Sequence, residues 1–171
     1  MLWNLPWLVI ALHILVASLA PAAHAAKRVA LVIGNSAYAN APKLVNPGRD
    51  ASALAAAFRR MGFDEVVEKR DLGANALRQA LLDFERQATG ADIAVVFYAG
   101  HGIEVDGQNY LIPSDARLAR ATSVDVEALP LSTVTSVISG ARKLGLVILD
   151  ACRNNPFRAR MSSDTSGRKR S

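Results

Sequence analysis

A chain of 171 residues is enough for one domain with a real core and hardly enough for two. Hydrophobic residues make up 51% of it, which excludes a disordered tail or a low-complexity protein. Much of the net charge of +5 sits in Arg153, Arg158, Arg160, Arg168, Lys169 and Arg170, with only Phe157 as an aromatic nearby; this reads as a solvated basic tail over 161–171 and its approach, with no nucleic-acid surface.

Residues 1–25 read as an export signal. Leu8 to Ala20 is apolar and uncharged but short for a membrane span, and Ala23-His24-Ala25 after Pro21 suits cleavage following Ala25. The first residues carry no Lys or Arg, so the alternative is an uncleaved anchor with Lys27 and Arg28 just outside it. The expected location is periplasmic or secreted, with membrane contact only through the signal. His13 and His24 fall inside this segment, which leaves His101 and Cys152 as the one histidine and one cysteine of the mature chain. A lone cysteine makes no internal disulfide, so Cys152 is a buried small hydrophobe, a link to another chain or a reactive thiol. The same count rules out a four-ligand structural zinc site.

Past the signal, strand-like and helix-like segments alternate. Arg28 to Ile33 is β-branched and closed by Gly34, as a buried strand should be. Pro47 to Met61 carries Leu54, Ala57, Phe58 and Met61 at helical spacing, with Asn46 as the expected cap, Pro47 at the first position and Gly62 as the stop. Phe63 to Lys69 is a second strand, and Asn75 to Ala88 a second amphipathic helix with Leu77, Leu81 and Phe84 on one face. Asp92 to Tyr98 is a third strand, nearly all apolar and so covered on both sides. An Asp106-Gly107 turn between short extended pieces predicts a hairpin over Ile103 to Ile112. Leu131 to Ser139 reads as a third helix, and Leu144 to Leu149 as a fourth strand running into Asp150-Ala151-Cys152.

This alternation argues for an α/β fold: a mostly parallel sheet flanked by helices on both faces, whose working residues lie at the carboxyl ends of the strands. The third strand runs into Ala99-Gly100-His101-Gly102 and the fourth into Asp150-Ala151-Cys152, so the one histidine and the one cysteine both fall there. A thiol becomes a strong nucleophile when a base or cation ionises it, and imidazole is suited to that at neutral pH. If the two strands are neighbours, their ends lie about 5 Å apart. Glycines on both sides of His101 allow a close backbone approach to substrate, and the amides of Gly102 and Cys152 can form an oxyanion hole.

Four motifs in order resemble the caspase-like cysteine peptidases, and among them the bacterial metacaspase-related proteins: Gly34-Asn35-Ser36-x-Tyr38; Tyr98-Ala99-Gly100-His101-Gly102; Tyr110-Leu111-Ile112-Pro113-x-Asp115; and Leu149-Asp150-Ala151-Cys152-Arg153-Asn154-Asn155-Pro156-Phe157. In caspases the histidine lies about 50 residues before an Ala-Cys pair, and here it is 51 before Cys152. The resemblance covers Lys27 to Phe157 and implies a large-subunit catalytic domain over 27–160 in a three-layer sandwich. It makes His101 the general base and Cys152 the nucleophile. It places Asp150 where caspases that cut after Asp have Gln, and where metacaspases that cut after Arg or Lys have Asp. With Asp50, which matches a second family aspartate, Asp150 would select a basic substrate side chain. No cofactor is expected. Calcium dependence occurs in the family, and Asp115, Asp125 and Glu127 fall near the corresponding stretch, but position 159 is Ala where a ligand would be Asp, so no metal site is assigned.

The family fold has further C-terminal strands for which the residues after Cys152 offer no counterpart, so a second chain completing the sheet is one expected partner, beside a peptide or protein substrate with a basic residue at the cleavage site. The rival reading is a catalytically inactive caspase-like module that binds other proteins through the unfinished edge. A nucleotide-binding flavodoxin-like domain is disfavoured because no strand is followed by a phosphate-cradling Gly-rich loop.

Overall fold

The computed structural model describes residues 26–152 and 156–157, with positions 121 and 152 described in backbone alone. The export signal over 1–25, the tail over 161–171 and the Arg153 to Asn155 part of the cysteine motif lie outside the described residues.

In chain order the elements are β1 (Arg28–Gly34), α1 (Pro47–Arg60), β2 (Glu65–Arg70), α2 (Ala74–Ala88), β3 (Ile93–Val105), β4 (Gln108–Leu111), a 3-10 turn (Ala121–Ser123), α3 (Val124–Glu127), β5 (Leu129–Pro130), α4 (Leu131–Val137) and β6 (Leu144–Cys152). β1 pairs in parallel with both β2 and β3, and β3 pairs in parallel with β6, so the parallel strands run β2-β1-β3-β6. The late part of β3 changes partner: Gly102 to Val105 pair antiparallel with β4, and β4 pairs with β5.

Helices cover both faces, as the alternating pattern predicts. On one side Ala51, Ala55 and Phe58 of α1 pack on Ala30, Val32, Val95, Phe97 and Ala99. On the other, Leu77, Leu81 and Phe84 of α2 and Val134 and Val137 of α4 pack on Val29, Leu31, Ile33, Ala94, Val96 and Tyr98. Burial of each such Leu or Phe contributes about 1.5–3 kcal/mol. The central β1 and β3 are therefore buried over Val29–Gly34 and Ala94–Ala99, and β6 is less covered: Leu144, Leu146 and Leu149 remain 46, 41 and 41% exposed.

Two local readings are corrected, and one stretch has no reading. Asn46 sits at the N-cap of α1 but in right-handed helical geometry, and its side chain makes no cap bond; a capping side chain needs an extended backbone. The cap comes from Ser36, whose Oγ accepts from the Gly48 N–H at 3.1 Å. The third strand does not stop at Tyr98 but continues to Val105, because β4 folds back on it through a turn with Asp106 at φ +50° and Gly107 at φ +76°. His101 consequently lies inside a strand and not in a loop beyond one. Finally, the 3-10 turn, α3 and β5 occupy a stretch that shows no periodic signal in sequence. The stop at Gly62 is as read: Gly62 has φ +75°, and Gly62 N–H and Phe63 N–H close onto Arg59 and Phe58 carbonyls at 3.1 Å each, a Schellman ending.

Candidate active site at the tips of two parallel strands

β3 and β6 bring their chemistry-bearing positions level. Ala99 faces Asp150, Gly100 faces Ala151, and His101 faces Cys152 as register partners. Adjacent strands lie about 4.8 Å apart, so His101 and Cys152 are at neighbouring backbone positions. The row extends into β1, where Gly34 is the partner of Ala99.

Asp50 approaches the same row from α1. A Cβ on Gly34 would stand 2.5 Å from the Pro47 carbonyl oxygen and 2.8 Å from Ala51 Cβ, so the first turn of α1 rests directly on Gly34. Asp50 lies in that turn, half-buried, and Asp150 is exposed at the end of the row. Both carboxylates therefore belong to the α1 side of the strand tips.

The imidazole of His101 is held by the loop between β1 and α1. The residue is only 8% exposed. Its Nε2 lies 2.9 Å from the Pro42 carbonyl oxygen. A carbonyl only accepts, so Nε2 carries the hydrogen and the neutral ring keeps its lone pair on Nδ1. Tyr38 packs on the ring with centroids 4.4 Å apart and planes tilted by 53°.

That loop is itself anchored. Asp71 Oδ1 accepts from the N–H groups of Ser36 and Ala37 at 2.7 Å each. The Ala39 N–H reaches the Ser114 carbonyl at 2.9 Å, and the Asn40 amide donates to the carbonyls of Asp115 and Ala116. Asn35, fully buried, accepts from Leu72 N–H at 2.9 Å and donates to Leu72 O at 3.3 Å. The motif after the first strand thus serves as scaffolding for the histidine.

Gly102 follows from ladder geometry. Ile112 N–H donates to His101 O at 3.1 Å, so His101 turns its main-chain groups toward β4. Alternate residues of a strand turn theirs to opposite sides, which directs the Gly102 N–H away from β4, to the side on which β6 ends. A cleft lined by Gly102, Leu111, Leu131, Leu149 and Ala151 adjoins these tips.

The three acids near the family's calcium stretch do not converge. Asp115 Oδ1 accepts from Ala74 N–H at 2.8 Å, Asp125 Oδ1 from Tyr110 hydroxyl at 2.9 Å, and Glu127 Oε2 from the N–H groups of Arg117 and Leu118 at 2.6 and 2.9 Å. Among the described residues no group of three or more His, Cys, Asp or Glu side chains is arranged to hold a metal ion.

Sequence reasoning missed the Pro42 carbonyl and the parts played by two phenols. A main-chain acceptor leaves no signature in residue type. Tyr98, read as a core strand residue, hydrogen-bonds through its hydroxyl to His101 O at 3.0 Å and Ile112 O at 2.9 Å.

A parallel sheet between helix layers, with histidine and cysteine paired at its carboxyl edge, defines a caspase-like α/β domain. The family model described as the caspase domain of C14 peptidases matches residues 27–170, and the chain belongs to that family. It is 36% identical over 89 residues to mucosa-associated lymphoid tissue lymphoma translocation protein 1 of Homo sapiens, an alignment covering 52% of this chain and 11% of that protein. The Mus musculus homolog is 37% identical over 93 residues, with 52% and 11% covered. The chain thus matches about a tenth of the length of these curated relatives.

Proposed function

We propose that this caspase-family domain is a cysteine-type endopeptidase that cuts peptide bonds after Arg or Lys, using Cys152 and His101. The observation that carries the reading is the register pairing of positions 101 and 152 on adjacent parallel strands. Nδ1 of His101, left with its lone pair by the Pro42 contact, takes the thiol proton. The thiolate attacks the scissile carbonyl, and the oxyanion is met by the amides of Gly102 and Cys152. The imidazolium then gives its proton to the leaving amine as the C–N bond breaks, and a thioester remains on Cys152. Water, deprotonated by the same imidazole, releases the carboxylate product and restores the thiol.

Asp50 and Asp150 stand at the α1 side of the tips and supply negative charge for a guanidinium or ammonium group, while they repel an acidic one. Incubation with a fluorogenic peptide ending in Arg should release product, and Cys152→Ala should abolish the release. Persistent activity in that variant would remove the assignment of the nucleophile. The export reading of residues 1–25 is part of the proposal: N-terminal sequencing of the exported protein should begin at Ala26.

A second reading draws on the exposed Leu144, Leu146 and Leu149 of β6, whose outer edge has no strand partner among the described residues. On that reading the domain is catalytically inert and binds other chains through the edge. A folded protein that no arginine-directed thiol probe labels would favour it; labelling at Cys152 favours the peptidase.

A further inference from the structure

The hydrogen bonding around His101 departs from an ordinary ladder. Ile112 N–H donates to His101 O at 3.1 Å, and a regular antiparallel pair would return the bond from His101 N–H to Ile112 O. It does not. Ile112 O is taken up by Tyr98 hydroxyl at 2.9 Å, with Tyr38 hydroxyl at 3.3 Å. His101 N–H turns instead to Tyr38 Oη at 2.8 Å, and the two phenol oxygens lie 3.2 Å apart. Tyr98 hydroxyl also reaches His101 O at 3.0 Å. Both peptide groups of the histidine are thus bracketed by side-chain hydroxyls, one from the β1–α1 loop and one from β3.

Gly100 makes room for this arrangement. A Cβ there would stand 2.6 Å from Tyr38 Oη and 2.7 Å from Tyr98 Oη, so any other residue would displace the phenols. Both hydroxyls keep their hydrogens at neutral pH, since burial pushes the two phenols above their ordinary values, Tyr98 far above.

We propose that Tyr38 and Tyr98 are positioning residues for the His101 imidazole, fixing the backbone from which the ring projects while the Tyr38 ring and the Pro42 carbonyl fix its tilt. This rests on the reading of His101 as the base for Cys152. A base must stay within hydrogen-bond reach of the proton it moves, and displacements near 1 Å cost about a hundredfold in rate. Replacing one ladder bond by two phenols ties the histidine to the loop that also carries its ring contacts, so ring and peptide move as one unit.

The test is the pH dependence of Cys152 alkylation by iodoacetamide on the full chain, with thermal melting alongside. In the parent protein an imidazolium partner keeps the thiolate populated well below the ordinary thiol value of about 8.5, and His101→Ala removes that low-pH reactivity. Tyr38→Phe retains the ring and loses the acceptor. It should cut the rate at about pH 6 by roughly tenfold or more while leaving the rate at about pH 9.5, where the thiol ionises unaided, unchanged. Tyr98→Phe should shift the profile in the same direction, and it decides the matter if Tyr38→Phe does not fold. Loss of melting temperature with a parent-like profile in the folded variants would overturn the positioning role and leave the His101–Cys152 reading standing. A parent profile that His101→Ala does not change would instead sink that reading, and the positioning role with it.

Discussion

Pro42 meets His101 through a main-chain carbonyl 2.9 Å from Nε2, on a loop that departs from the neighbouring strand β1. The contact fixes which ring nitrogen is protonated before any substrate arrives. Nitrogen-15 NMR of histidine-labelled protein above the imidazole titration should show the Nε2–H tautomer at His101. The Nδ1–H form would mean that the lone pair faces Pro42, and the geometry described for proton transfer would be wrong.

The closeness of α1 to β1 at Gly34 gives a stability prediction with an internal control. Gly34→Ala drives a Cβ to 2.5 Å from a backbone oxygen of α1, which cannot rotate away. A cost of about 1–3 kcal/mol is expected, read as a lower denaturation midpoint, together with displacement of the turn that carries Asp50. Gly48→Ala, whose Cβ would meet Ser36 Oγ at an ordinary 3.6 Å, should cost nothing or add stability, because alanine favours the helix.

At the opposite end of the sheet, Asp92 joins three strands. Its Oδ1 lies 3.0 Å from Lys143 Nζ before β6, and its Oδ2 accepts from Lys27 N–H before β1 at 2.9 Å. The Lys143 ammonium first, and the Lys27 N–H after it, hold the Asp92 carboxyl below the ordinary aspartate value. A native value below the unfolded one means that the stabilisation is complete above about pH 4 and fades as pH falls through the lower native value. The stability difference between the parent and Asp92→Asn should therefore be present at neutral pH and shrink between about pH 5 and pH 2. Urea melts over that range check it; a difference that grows on acidification would contradict the sign.

Selection of a basic side chain assigns a graded effect to Asp150. Asp150→Asn keeps the shape and removes the charge, so kcat/KM for an Arg-terminated peptide should fall by about 10–100-fold. A citrulline-terminated peptide, neutral and nearly isosteric, should be affected much less. Equal losses on both substrates would place Asp150 outside the specificity pocket.

Much of the architecture is legible in the residues because burial demands it. Val29 to Gly34 and Ile93 to Tyr98 are apolar without interruption, since helices cover both of their faces. The spacing of Leu77, Leu81 and Phe84 shows the buried stripe of a helix. Cys152 stands out as the one cysteine of the chain and His101 as the one histidine after residue 25, and parallel-sheet geometry brings them to one edge. What stays hidden is whatever main-chain groups and distant hydroxyls supply. The Pro42 carbonyl has no residue signature, and the cap of α1 comes from Ser36, outside the local window in which Asn46 looked suitable. β3 runs past its apolar core through Gly100 and Gly102, residues that read as a loop until the phenols that fill the space beside Gly100 are in place.

Mass spectrometry after exposure to an arginyl chloromethylketone tests thiol reactivity and basic-side-chain preference together. The expected result is one adduct, on Cys152, formed much faster than with the aspartyl reagent and lost in His101→Ala. No adduct on the folded protein, or equal labelling by the aspartyl reagent, would contradict a thiol activated by its strand neighbour and guarded by carboxylates.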